Sequence, residues 1–487
     1  MKRLLPLFIL IVTLVAFSSC RKDQTFARKG VTLGLSADTI FLDTVFTQVG
    51  SSTRTLRVNN PTDEDIYIDR IFLAKGPNSY YRLNVNGTPT KDISDVELLA
   101  NDSITILIEV TADVGMANEL LYTDSIVLQT MGRTQDVDLV TLTKDAHFYY
   151  PTGSFNNGAI PYSVIDCNAT WGPDKPHVIY GYAVVDSLCT LTILPGTEIH
   201  FHSGSGLWVY KGGSLQIDPN NTGQIETNPV IIQGDRLEPF YENVAGQWGG
   251  ALGGIFIQNG STNNLIQNAI IKNSTIALLV DSTASTTPNL VVRNTQVLNS
   301  SRVGIYGGFA NIQAENVVVG NSGVYGLYAL GGRYSFTHCT FANYSIGGRS
   351  TPTIGLFNYY ENNIGQRFTR DVLAANFRNT IVYGSRRVEF GLGYEPSGNL
   401  EFNFNTCFLR LAENPFDGSF DREDPTRFTN CELDENPRFV NYQNFNYKLD
   451  SISPALNVAN PTFAQQVPTD ILKVDRTSTP DVGAYER

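Results

Sequence analysis

Asn268-Ala-Ile-Ile-Lys-Asn273, Asn294-Thr-Gln-Val-Leu-Asn299, Asn316-Val-Val-Val-Gly-Asn321 and His338-Cys-Thr-Phe-Ala-Asn343 are four versions of one six-residue piece, their starts 26, 22 and 22 residues apart. A short apolar alternation precedes each, as in Leu290 and Val292 before Asn294 or Tyr334 and Phe336 before His338. A second motif lies 12 to 16 residues upstream: Gly254-Ile-Phe-Ile257, Leu278-Leu-Val280, Gly304-Ile-Tyr-Gly307 and Gly326-Leu-Tyr-Ala329. A period of this length, holding several short β-type runs, describes stacked coils. Each coil leaves an apolar face that only a neighbour can cover.

The recurring Asn sharpens the reading. Asn tolerates a left-handed backbone and bonds to its own chain, and identical amides in adjacent coils can donate and accept along a stack. Inward positions are expected one and three residues after it: Ala269 and Ile271, Thr295 and Val297, Val317 and Val319, Cys339 and Phe341. The fold expected is a right-handed parallel β-helix of about ten coils. Leucine-rich repeats share the period, but their leucine pattern is absent.

At 487 residues the chain has room for two or three domains. Charged residues make up only 17%, with 42 Gly, which suits many turns and long β stacks rather than helices. A formal net charge of −12 argues against nucleic acid as a partner.

Residues 1–19 read as a leader outside the fold. Lys2 and Arg3 start it, Leu4 to Val15 form its apolar stretch, and that stretch is short for a membrane span. Phe17-Ser-Ser-Cys20 resembles the lipobox of bacterial lipoproteins, which implies that Cys20 is lipidated and heads the mature chain. Arg21 stands where lipoproteins kept in the inner membrane carry Asp, which implies the outer membrane, on either its periplasmic or its surface side. Cys167, Cys189, Cys339, Cys407 and Cys431 would then sit in an oxidising compartment. Cys167–Cys189 and Cys407–Cys431 are candidate disulfides on spacing, each bracketing about one coil. Cys339 occupies an inward position as a small core hydrophobe.

Residues 20–30 form a polar tether. Residues 31–146 carry about seven short alternating strands separated by turn clusters, as in Arg54-Thr-Leu-Arg-Val58 and Ser103-Ile-Thr-Ile-Leu-Ile108, and fit an Ig-like β-sandwich. Val58-Asn-Asn-Pro61, the turn from Leu98 to Asn101 and the run Thr123–Thr130 resemble Ig-like modules of the hydin type, which serve as spacers or binding units. Residues 147–176, aromatic and rich in Gly and Pro, read as a linker and cap. Residues 177–487 read as the β-helix with a C-terminal closing segment. Between His338 and Asn379 the repeat is interrupted, and the surplus around Tyr359 to Leu373 is expected to leave the stack as a loop.

The chain's end, with Pro437-Arg-Phe-Val440, Ser453-Pro-Ala-Leu-Asn457, Asp470, Arg476 and Asp481-Val-Gly-Ala-Tyr-Glu486, resembles the closing segment of bacterial right-handed β-helix proteins. These belong to the pectate-lyase-like superfamily, especially envelope lipoproteins of the Bacteroidota. The resemblance implies a fold and no one activity, since the superfamily holds lyases, glycosidases and adhesins.

Its active members carry acids, or an Arg or Lys base beside a Ca²⁺-binding acid cluster, on one sheet face. The matching outward positions here are read as Phe256, Val280, Tyr306 and Tyr328. Between Ala251 and Tyr344 the carboxylates are Asp281 and Glu315 alone, so no facing pair for glycoside hydrolysis is offered. An aromatic column replaces them: Phe256, Tyr306 and Tyr328, continued by Phe357 and Tyr359. It is a candidate platform for stacking sugar rings, with a plain cross-strand aromatic ladder as the competing reading.

The remaining enzyme candidates are Arg367, Arg370 and Asp371 in the loop beside Glu361, with Glu389 one coil on near Arg386 and Arg387. An Arg base with a carboxylate would suit β-elimination at a uronate, against a solvated loop of surface ion pairs. His200 and His202 alternate on a strand without a third ligand nearby in sequence, so no metal site is assigned. His338 reads as a structural replacement for Asn. The run Asp417, Asp421, Glu423 and Asp424 could hold Ca²⁺ but lacks EF-hand spacing and reads as a solvated turn, so no cofactor is expected beyond that one Ca²⁺ candidate. The function expected is an envelope lipoprotein that binds glycan or another surface polymer without catalysis. The alternatives are a lyase or hydrolase on uronate-containing polymer, or a structural envelope component. Expected partners are the membrane, through the anchor, and a polysaccharide or another envelope protein.

Overall fold

The computed structural model describes residue 26 and residues 30–47, 49–111, 121–345, 348–416 and 418–487. The leader, Cys20, most of the tether and Asp417 lie outside the described residues. The chain divides into two compact units at Asp145/Ala146.

The first unit is a β-sandwich. One five-stranded sheet runs in the order Gly34–Leu35, Arg54–Asn59, Ser103–Val110, Tyr81–Val85, Thr88–Thr90. The other runs Thr39–Phe46, Arg133–Lys144, Leu121–Thr130, Ile66–Leu73, Asp92–Leu98. Pairing is antiparallel except between Thr39–Phe46 and Arg133–Lys144. Strict alternation buries one face of each inner strand: Ile104, Ile106 and Ile108 meet Leu56, Val58, Ile68, Ile126 and Leu128 in one core. Asp92–Leu98, at a sheet edge, shows no such alternation and left no strand signal in the sequence.

In the second unit most coils add a strand to a ten-stranded sheet, parallel except between Gly153–Phe155 and Ile160–Val164, and strands to a nineteen-stranded sheet. All eight expected inward residues are buried, from Ala269 to Phe341. The larger sheet bends along one line. The strand Leu290–Ser300 runs straight through Asn294 at φ 43°, and there its burial alternation changes phase, so both Asn294 and Thr295 are buried. Asp218, Asn268, Asn316, His338, Asn379, Thr406 and Asn430 repeat this positive φ coil after coil. Asn316 Nδ2 donates to Asn294 Oδ1 (2.9 Å) and Asn379 Nδ2 to His338 Nε2 (2.9 Å). Between Asn268 and Asn294 the link is backbone alone, Asn268 N to Arg293 O at 3.2 Å. Burial keeps His338 neutral, with its pKa well below the ordinary value, so it serves the column as an acceptor.

Two features depart from the sequence reading, and a third is one that it leaves open. Residues 147–176 are themselves coiled: His147–Tyr149, Ile160–Val164 and Thr170–Trp171 pair in parallel with the coil that follows. An end coil needs large apolar side chains over its open core, and Trp171, stacked on His177 at 4.4 Å, covers it. Cys167 and Cys189 form a disulfide, whereas Cys407 and Cys431 are free thiols. Both free thiols follow a column residue and so point inward, where Cys407 Sγ meets Phe377 O and Cys431 Sγ meets Phe404 O of the preceding coil. The closing segment, finally, runs along a flank of the stack rather than over its end. Val318, Ala342 and Leu298 face outward and apolar there, and Tyr447, Ile471, Ala484 and Tyr485 cover them. The Asn column also holds this strap: Asn316 Nδ2 donates to Thr469 O (2.8 Å) and Asn379 Nδ2 to Asn460 O (3.0 Å).

Buried Arg476 donates to Gly483 O and Ala484 O within the strap, among Asp470, Asp481 and Glu486. Burial, with the charges of Asp481 and Asp470 beside it, pushes Glu486 up to about 7 from 4.5. The folded strap therefore keeps a proton that the unfolded chain has released, and its stability falls as pH rises across that window. Hydrogen exchange, corrected for its intrinsic pH dependence, should show strap amides better protected below pH 4.5 than above pH 7. Equal protection would contradict the assignment.

Candidate functional site

The outer face of the ten-stranded sheet carries one column of side chains in register: Val164, Val184, Trp208, Phe256, Leu279, Tyr306, Tyr328 and Gly355. The residue between Phe256 and Tyr306 is thus Leu279 and not Val280, which is fully buried. Ala277 stands where the other copies have Gly254, Gly304 and Gly326, so the motif begins one residue earlier than its leucines suggest.

The column has two parts. In the first, Tyr306 and Tyr328 stack at 4.9 Å and 12°, and Tyr328 and Phe357 at 4.6 Å and 24°. Phe357 reaches this stack by lying over Gly355 and Gly393, where a Cβ would come within 2.6 and 2.2 Å of its ring. Burial lifts the Tyr328 hydroxyl to about 12, so it stays a donor at neutral pH. These rings turn their faces to one another, and the aromatic surface left to a ligand is edge and hydroxyl. Tyr359 belongs to a hairpin, Tyr359–Glu361 with Arg367–Thr369, that leaves the stack where the surplus residues are expected; Arg367 covers its ring at 4.7 Å.

The second part is a groove of about 480 Å³ around Trp208 and Phe256. Trp208 meets Phe155 at 69°, Tyr210 at 70° and Phe256 at 37°, so the rings form a concave lining rather than a closed stack. Phe155 (58% exposed) and Tyr210 (38%) stand at its rim, with Tyr162 and Leu252 beside them. Trp208 Nε1 donates to Gln258 Oε1 (2.7 Å). Asp186 and Asp281 also line it, each with an oxygen accepting from the next backbone N–H, of Ser187 and Ser282. Sequence reading missed Trp208 because 48 residues separate Gly206 from Gly254. The shared pattern Gly-Leu-Trp-Val and Gly-Ile-Phe-Ile was the available signal.

The charged candidates separate. Glu389 is fully buried and accepts from both Arg349 Nη atoms (2.8 and 2.7 Å), from Thr353 N and Oγ1, and from Arg386 N. Arg367 pairs with Glu361 and Glu395 in the exposed hairpin. Arg370 lies over the Phe309 and Tyr360 rings, and Asp371 accepts from Asn399 N (2.8 Å). The structure does not bring Glu389 to the other three. His200 is buried, between Gly234 O (3.0 Å) and Glu198 (3.2 Å), while His202, on the exposed side, bonds Asp235 at 2.7 Å. Its bond to Asp235 raises the His202 pKa. No group of three or more metal-ligating side chains occurs among the described residues. Asp421 and Asp424 accept from the backbone of their own turns, at Glu423 N and Thr426 N.

No curated protein matches the chain. Among solved structures it is similar to the periplasmic chaperone SfaE, at 14% identity over 23% of this chain and 58% of that one, with a TM-score of 0.17. It is also similar to a family 123 glycoside hydrolase from Clostridium perfringens, at 8% identity over 29% and 30%, with a TM-score of 0.18. The chain spans less than two thirds of either relative, and at these TM-scores neither bears on its fold or activity. Residues 156–346 match the family described as the right handed beta helix region. With the parallel stacking of the coils, that match makes the second unit a right-handed parallel β-helix.

Proposed function

We propose that this protein is a membrane-held envelope lipoprotein that binds glycan or another surface polymer, without catalysis, through the outer face of its ten-stranded sheet. The observation carrying the reading is the aromatic groove around Trp208, whose rings meet at angles and leave faces for the C–H surface of a sugar. The enzyme alternative asks for convergent charges, and Glu389 is committed to Arg349 instead. The Cys167–Cys189 disulfide supports an oxidising compartment, and the lipobox residues before Cys20 support the anchor.

Glycan-array screening of the purified protein, with release of unsaturated uronates read in parallel, tests the reading. Replacing exposed Phe155 and Tyr210 together by Ala should weaken polymer binding by about 1–3 kcal/mol, the scale of aromatic anchors. Tyr306→Ala with Tyr328→Ala should cost less, because those ring faces are already covered. Uronate release lost on Arg370→Ala would favour the lyase. For the anchor, Cys20→Ala should release soluble protein; a variant that still fractionates with membrane would refute lipidation.

A further inference from the structure

A different face carries a second, chemically distinct opening, between the coils and the C-terminal strap. The closing Asn of the repeated piece forms its own positive-φ column: Asn273 (64°), Asn299 (56°) and Asn321 (43°). Asn273 is satisfied, donating to Glu242 O and accepting from Asn299 Nδ2, each at 2.8 Å. Asn299 Nδ2 also donates to Asn243 O (2.9 Å), but its Oδ1 has no partner among the described residues. Asn321 is the reverse: its Oδ1 accepts from Tyr344 N (2.8 Å) and its Nδ2 has none among them. Adjacent coils therefore present one free acceptor and one free donor, about 4.8 Å apart along the stack.

Both amides line a cleft of about 620 Å³. Opposite them, a single 3₁₀ turn of the strap, Tyr442–Asn444, places Tyr442 against Tyr344 at 4.0 Å and 19°. Tyr442 remains 39% exposed. Ser385 and Gln443 add neutral polar groups, and none of the described residues lining this cleft is charged. Asn299 also borders a separate opening, lined by Gln296 and Phe445 together with the charged residues Glu242 and Lys272.

We infer that this cleft binds a neutral saccharide. A charged ligand would find no counter-charge among the described residues of the cleft itself, and an apolar one would leave the Asn299 and Asn321 amide groups unpaired. Vicinal hydroxyls, each both donor and acceptor, match a free carbonyl and a free amide one coil apart, while Tyr442 supplies aromatic contact. The site stands whether or not the ten-stranded face binds polymer.

The test is calorimetric titration of the folded protein with neutral gluco-, manno- and galacto-oligosaccharides, and with oligogalacturonate for comparison. Asn321→Asp retains the acceptor for Tyr344 N and tolerates the left-handed backbone, but removes the donor. It should weaken neutral-sugar binding about tenfold, the scale of one hydrogen bond. Tyr442→Ala should weaken it similarly, and both proteins should keep a cooperative melting transition, lowered slightly in Tyr442→Ala by loss of the Tyr344 stack. The Phe155→Ala/Tyr210→Ala protein should keep this binding. Binding lost only with Phe155 and Tyr210 would overturn the cleft and leave the groove standing. Preference for oligogalacturonate, or no neutral-sugar binding in the millimolar range, would also overturn it.

Discussion

Glu389→Ala should destabilise the β-helix by about 3–5 kcal/mol, because it strands the fully buried Arg349 guanidinium without its counter-charge. Thr353 would lose its carboxylate acceptor at the same time. The effect belongs to the uncompensated charge rather than to the pair. Arg349→Met combined with Glu389→Leu should therefore recover most of the loss. Thermal unfolding of the two proteins checks this, and a double variant as unstable as the single would show that the network itself is required. A catalytic Glu389 would behave differently: Glu389→Ala would abolish activity in a protein of unchanged stability.

Phe377→Ala should cost about 3–5 kcal/mol for a different reason, a cavity within a ring stack. Phe377 lies between Phe336 (5.4 Å, 6°) and Phe404 (4.4 Å, 7°), and the stack continues to Phe428 at 5.6 Å. Coils interact mainly with their neighbours, so the damage should be local. Hydrogen exchange should lose protection first in the strands Val372–Arg378 and Leu400–Asn405, with the strands around Ile199 unaffected. Uniform loss along the helix would mean that the stack unfolds as one unit.

The coil core was legible because its signal is local and repeated. A residue with positive φ recurs, and the positions one and three after it point inward. Where local pattern is ambiguous, the reading slipped: Leu278-Leu-Val280 offers two apolar frames, and only pairing with Phe256 and Tyr306 selects Leu279. The groove was hidden because Trp208 and Phe256 become neighbours across a long insertion. Glu389 looked available for chemistry because its partner Arg349 lies 40 residues earlier, and nothing local to either residue announces a buried pair. Ring orientation lies further still from sequence. Spacing placed Tyr306 above Tyr328, but not whether their faces would meet each other or the solvent.

The strap also bears on the order in which the chain acquires its structure. Coils can close one upon the next as they are translated, since each needs only its predecessor. The flank around Leu298, Val318 and Ala342 cannot be covered until Tyr447 and Tyr485 arrive, well over a hundred residues later. Until then a growing β-stack displays an apolar stripe and the second, still unpaired N–H of the Asn316 and Asn379 amides, the kind of transient surface that invites association between nascent chains.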